Sequence, residues 1–287
     1  MSDDGRSYAR RVAPGESIRL AEIDPADAAG LDKETGKALL DRLDDELGEL
    51  QELLYAAAEH SVLLVLQGLD TSGKDGTIKR ALRGVNPVGC RFVSFKAPTT
   101  TELAHDFLWR VHARAPERGQ LGVFNRSHYE DVLVARVHRL VPEPVWRRHY
   151  EHINAFERLL ADSGTIILKC FLYISKAEQE ERLLARERDV TKAWKLSAQD
   201  WVERRSWGEY TAAYEDALRH CSTEVAPWHV IPADRKWFRN LAVAQLLVET
   251  LRPYKAGWLE RLRAMGEREM REIEEARKQG KIALGPR

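Results

Sequence analysis

The stretch VLLVLQGLDTSGKDGTIK, residues 62–79, constrains this chain more than any other. A short apolar run with the composition of a buried strand ends at Gly68, and helix-compatible sequence resumes at Lys74. Gly68 through Lys74 matches G-x-x-x-x-G-K. In that spacing Gly68 and Gly73 let the backbone turn so that successive N–H groups point inward. The following helix aims its positive end at the same spot, and Lys74 adds a point charge. Such a turn cradles phosphate oxygens, which makes Gly68, Thr71, Ser72, Gly73, Lys74, Asp75, Gly76 and Thr77 candidate phosphate-binding residues. A glycine-rich turn that only connects two elements is the plainer alternative, and the strand and helix on either side weigh against it.

The Ser or Thr that normally follows the lysine is Asp75 here, and Asp70 lies within the loop. Bound phosphates would repel both carboxylates unless a divalent cation came between them. Magnesium prefers one or two carboxylates with phosphate oxygens and water, and Asp70 is favoured as the metal-side carboxylate. For Asp75 two roles stay open: a second such carboxylate, or a cap on the helix start.

Beyond the loop, strands are expected at 91–96, 122–124, 165–173 and 228–231. Helices are expected at 31–60, 101–112, 128–138, 143–160, 176–188, 236–251 and 256–280. Alternation of this kind implies an α/β fold with a parallel sheet flanked by helices. Residues 1–30 form an N-terminal arm that lies on the body or is partly disordered, and 256–287 a C-terminal helix and tail. The helix at 31–60 is a scaffold or a subunit contact. Lys and Arg total 45, as do Asp and Glu; this neutrality argues against a globally basic nucleic-acid coat protein. The apolar run 62–66 is too short for a bilayer span, and the N-terminus MSDDGRSYARR lacks the apolar core of a secretory signal. Three cysteines without C-x-x-C spacing suggest neither a disulfide framework nor zinc. A soluble cytoplasmic protein without membrane or nucleic-acid partners is expected.

A second motif, FNRSHYED (124–131), ends a short strand, so Asn125, Arg126 and Glu130 should emerge at the carboxyl edge of the sheet, where ligands of such sheets bind. Arg126 suits a bidentate phosphate contact. Glu130 serves metal-bound water or acceptor choice, or is a solvated helix carboxylate. His128 and Tyr129 suit packing. Residues 182–206 are rich in Arg and Lys interleaved with Trp194 and Trp201. They read as a solvated charged helix surface or as a lid, with Arg182 and Arg186 as the leading pair and Lys192 and Lys195 as further phosphate contacts. One of Lys79 and Arg80 is expected to follow a phosphate chain.

GLDTSGKDGTIK, GVNPVGC (84–90), FNRSHYEDVLVARVH (124–138), ISKAEQEERLLARERDVTKAWK (174–195) and APWHVIPADRKWFRN (226–240) together resemble the family 2 polyphosphate kinases, in order and spacing over roughly 35–255. The resemblance implies a P-loop kinase-like core over 31–255 with a mobile lid. It also implies magnesium, with manganese as a substitute, held by Asp70 and Glu130, and reversible phosphoryl transfer between inorganic polyphosphate and nucleotides. Asp70, Lys74, Arg126, Arg182 and Arg186 would carry the catalysis. The GKDG and FNRSHYED forms resemble the subclass that accepts both AMP and ADP, and a dimer or tetramer is expected. Many members carry Asp where this chain has Asn125. No base is needed there, because the attacking phosphate oxygen is already anionic. Rival readings are an ATP-dependent nucleotide kinase and a nucleotide-binding regulator without turnover.

Overall fold

A computed structural model of the protein describes residues 6–282, apart from the side chain of Lys192. The chain opens with a two-residue strand, β1 (Arg10–Arg11), and a long helix, α1 (Lys33–Ala57). Asp32 starts α1 by accepting the N–H groups of Glu34 and Thr35, which satisfies two of the donors that a helix start leaves open. Next come β2 (Ser61–Gln67), α2 (Lys74–Ala81), β3 (Cys90–Ser94), the one-turn helices α3 (Thr100–Leu103) and α4 (Trp109–His112), and β4 (Leu121–Asn125). Then follow α5 (Val134–Val137), α6 (Glu143–Asp162), β5 (Thr165–Tyr173), α7 (Lys176–Glu187), α8 (Ala198–Glu203) and α9 (Trp207–Cys221). Strand β6 (Trp228–Pro232) and helices α10 (Lys236–Leu251) and α11 (Lys255–Lys278) complete the order.

The six strands lie in the order β1-β6-β5-β2-β4-β3, parallel throughout except for β1 against β6. Every residue of β2 is buried. Its side chains alternate between two cores, as a strand covered on both faces requires. Val62, Leu64 and Leu66 pack with Leu47, Leu50 and Leu54 of α1 and with the apolar side of α10. Leu63 and Val65 face Trp146, Ile153 and Phe156 of α6 and Tyr214 of α9. The carboxyl ends of β2 and β4 thus stand side by side on a platform closed from both faces.

Most expected elements are present, with two informative differences among the helices. Of the two readings of the arm, its described part lies on the body: β1 pairs with β6, and Val12, Ile18 and Leu20 are buried. The helix expected at 101–112 is broken in two, because Asp106 accepts the N–H groups of Leu108 and Trp109 and so folds a turn. The helix expected at 128–138 is a 3₁₀ turn, His128–Asp131, followed by α5. Ser127 there spends its hydroxyl on the Tyr129 N–H. Among the described residues no helix is long and apolar enough to cross a membrane.

Helix α1 touches the turn after α2 backbone to backbone. A Cβ built on Gly84 would lie 2.0 Å from the Asp44 carbonyl oxygen, and neither main chain can yield cheaply. Gly84→Ala should therefore destabilise the fold by about 1–3 kcal/mol, read as a fall in Tm of several degrees.

Candidate active site

The turn after β2 takes the backbone through unusual territory. Thr71 and Gly73 have φ of 66° and 100°, and at Gly73 a Cβ would collide with Arg239. Gly73 stands at the N-terminal cap of α2 and offers no side-chain cap. The first intrahelical bond is from Thr77 N–H to the Gly73 carbonyl. The N–H groups of Lys74, Asp75 and Gly76 therefore remain for an outside acceptor. Thr71 Oγ1, Ser72 Oγ and Thr77 Oγ1 are buried without a hydrogen-bond partner. Buried hydroxyls are rarely left so, and phosphate oxygens are the acceptors this loop suits.

Lys74 is buried, with Nζ 2.7 Å from the Gly68 carbonyl oxygen and 3.3 Å from that of Leu69. Burial, with the Arg126 charge adding, lowers its pKa to about 8. Arg126, in the left-handed region with φ of 62°, donates to Asp70 at 2.5 Å and to Glu130 at 3.2 Å. Burial opposes its charge, but Glu130 and Asp70 outweigh burial and hold the guanidinium above its ordinary pKa. The turn that carries Arg126 and Glu130 is anchored from below. His128 and Tyr129 are fully buried against Glu157, and Lys169 donates to Tyr129, to Glu157 and to the Cys221 carbonyl.

Asp75 caps nothing. It accepts from Asn125 Nδ2 and Lys195 Nζ, both at 2.7 Å, and the Lys195 bond holds its carboxyl below the usual range. The segment 190–195 is thereby tied to the start of α2. Arg186 pairs with Asp200 at 2.9 Å and lines the same cleft. That cleft, of about 230 Å³, is bounded by Asp70, Lys74, Asp75, Asn125, Arg126, Arg186 and Lys195, among others. A second, more apolar compartment adjoins it, lined by Glu130, Leu133, Val134, Trp207, Tyr210 and Tyr214. Asp70 and Arg126 border both.

Two candidates stand elsewhere than the sequence suggested. Arg182 is not presented to the cleft as a lid arginine. Buried beneath the loop, it donates to the carbonyls of Thr71, Ser72, Ala233 and Asp234 and pairs with Glu178, so no donor is left over. Arg80 turns away to Asp41 and Asp44 of α1, which leaves exposed Lys79 as the cation after the loop. The side chain of Lys192, expected as a phosphate contact, lies outside the described residues. Tyr210, Tyr214 and Trp207 of α9 were not foreseen. Aromatic residues on a helix carry no motif, although the i, i+4 spacing of the two tyrosines does place them on one face.

Asp70 and Glu130 are two carboxylates bridged by Arg126. Among the described residues no group of three His, Cys, Asp or Glu could hold a metal ion. That donor set fits a hard divalent cation drawing its remaining oxygens from phosphate and water. Lys74 also sets an expectation for pH. It is charged below about pH 8 and loses the charge above, so tripolyphosphate binding should weaken as pH rises through that value. A bound anion favours the protonated form, so binding at pH 8 to 9 should take up protons. Calorimetry in two buffers of different ionisation enthalpy measures this, and the uptake should vanish in Lys74→Met.

Comparison with known proteins gives this geometry a family. The chain is 52% identical over 243 residues, 84% of its length and 91% of the relative's, to a protein of Meiothermus ruber named AMP/ADP-polyphosphate phosphotransferase. It is 43% identical over 266 residues, 87% and 91% of the two lengths, to an ADP-polyphosphate phosphotransferase of Rhodopseudomonas palustris. The crystal structure of polyphosphate kinase 2 from Arthrobacter aurescens superposes with a TM-score of 0.80 at 42% identity, covering 86% of this chain and 92% of that one. The sequence model of the Polyphosphate kinase 2 (PPK2) family matches residues 30–256, and the chain belongs to that family.

Proposed function

We propose that this protein transfers the terminal phosphoryl group of inorganic polyphosphate to AMP and ADP, reversibly, as a magnesium-dependent enzyme of the cytoplasm that assembles as a homo-oligomer. The observation that carries the reading is the junction at Asp70 and Arg126. A cation-lined cleft with a phosphate loop meets a compartment walled by aromatic rings. One suits a chain of phosphates; the other, about 30 Å³ against 230 Å³ for the cleft, presents aromatic faces to a base and would have to widen to take a nucleoside. The names of the relatives from Meiothermus ruber and Rhodopseudomonas palustris support the same pair of substrates.

In this reading the loop N–H groups, the hydroxyls of Thr71, Ser72 and Thr77, and Lys74 hold the donor's last phosphates. The nucleotide's terminal phosphate lies toward Arg126, with its base near Tyr210 and Tyr214. An anionic oxygen of that phosphate attacks the terminal phosphorus of the donor. The anhydride P–O bond beyond it breaks, and the shortened polyphosphate leaves as an anion. No proton has to move, so positioning and charge neutralisation carry the rate. Arg126, Arg186 and Lys195 supply positive charge where the equatorial oxygens gather it. Magnesium, or manganese in its place, held by Asp70 and Glu130 with phosphate oxygens, would neutralise further charge.

The test is turnover of AMP and of ADP with polyphosphate and magnesium, beside ATP with AMP as control. Both acceptors should be phosphorylated, and Lys74→Ala should lower kcat about 10²-fold or more in a folded protein. ATP proving the better donor would replace this reading with that of an ordinary nucleotide kinase. The two cations after the loop should separate. Lys79→Ala should raise KM for long-chain polyphosphate more than KM for ADP. Arg80→Ala, which breaks the pairs with Asp41 and Asp44, should lower Tm and leave both KM values near wild type.

A further inference from the structure

Arg239 lies in the RKWFRN run after β6, and the chemistry above leaves it without a role. Its side chain is 3% exposed and sits directly beneath the phosphate loop. Nη1 donates to the Ser72 carbonyl at 3.1 Å, while Nε and Nη2 share Asn240 Oδ1 at 3.2 and 2.9 Å. A Cβ on Gly73 would fall 1.9 Å from Nη1, and one on Gly76 would fall 3.2 Å from Nη2. The cation therefore presses on the loop and on the first turn of α2 with no side chain in between. Among the described residues no carboxylate pairs with it. Burial, with the Arg182 charge adding, lowers its pKa. A buried cation without a counterion is strongly unfavourable, so its presence calls for a reason.

The Ser72 carbonyl supplies half of that reason. Arg182 Nη1 donates to the same oxygen at 3.1 Å, so two guanidinium groups converge on one peptide unit. Across a trans peptide the N–H points opposite to the C=O. Holding the Ser72 carbonyl toward the arginines therefore turns the Gly73 N–H away from them, and Gly73 lines the phosphate cleft. We propose that Arg239 is a positioning residue for the phosphate donor: it fixes the Ser72–Gly73 peptide with its N–H toward the cleft, and it keeps an unneutralised charge beneath the loop for which the donor's phosphates are the counterion. This rests on the polyphosphate reading above.

If Arg239 only tied α10 to the loop, neutralising its charge in place would do no harm. Asn240→Asp does that, putting a carboxylate against a guanidinium that stays where it is. Arg239→Met removes the charge and keeps much of the bulk, and Arg239→Lys restores a cation. Tripolyphosphate binding by calorimetry and Tm without ligand are the readouts. Asn240→Asp and Arg239→Met should each bind about tenfold more weakly. Asn240→Asp should melt no lower than wild type, and Arg239→Lys should recover most of the affinity. In turnover, KM for polyphosphate should rise while KM for AMP stays unchanged. Affinity within about twofold of wild type in a folded Asn240→Asp would overturn the proposal; should that variant fail to fold, the same result in Arg239→Met would do so. Wild type failing to bind tripolyphosphate would instead remove the polyphosphate reading itself.

Discussion

Main-chain N–H groups turned toward a cleft leave the carbonyls of the same peptides to be placed elsewhere, and the surroundings of the loop after β2 are arranged around that need. Arg182, from α7, takes the carbonyls of Thr71 and Ser72 on one side and those of Ala233 and Asp234 on the other. Arg239, from α10, joins it at Ser72. The loop after β2, the turn after β6 and two helices are locked together by two buried cations. Buried polar backbone is thereby satisfied, and the loop is held with its donors facing the cleft before any ligand arrives. The fully buried β2 lies beneath it.

The open side of the cleft follows the opposite rule. There, cations are matched to acids across elements: Arg126 to Asp70 and Glu130, Lys195 to Asp75, Arg186 to Asp200. Such a pair contributes little where it is well exposed, as at Asp75, about 0–1 kcal/mol. The chain's neutrality thus conceals a cleft whose charges are paired with one another. The division is physical: the arginines beneath the loop are buried on backbone carbonyls, and the pairs across the cleft lie nearer water.

The second motif shows how strain is held between these regimes. Arg126 adopts φ of 62°, a costly conformation for a residue with a Cβ. Its N–H is fixed to the Leu66 carbonyl at 3.0 Å. The turn that follows is pinned by the buried group of His128, Tyr129, Glu157 and Lys169. With both ends of the turn constrained, the guanidinium is delivered to the junction of the two compartments.

Residues 62–79 determined by local pattern alone that a strand would enter a phosphate-type turn and leave as a helix, because glycine freedom, apolar run length and helix polarity are properties of neighbouring residues. The same holds for β5 and α10, whose composition marks both boundaries, and for the emergence of Asn125, Arg126 and Glu130 at the sheet edge. Packing decided the rest. Whether an arginine at i or at i+4 of α7 faces ligand depends on what lies beneath the helix, and so Arg182 went to backbone carbonyls while Arg186 kept the cleft. Arg80 was drawn to acids on α1, far away in sequence. The breaks in the helices expected at 101–112 and 128–138 came from Asp106 and Ser127 competing for backbone N–H groups, a contest settled by where the flanking side chains are buried. Tyr210, Tyr214 and Arg239 acquired their surroundings only when β6, α9 and α10 closed against the loop. A sequence specifies what each residue can offer, and only the folded chain selects which partner takes the offer.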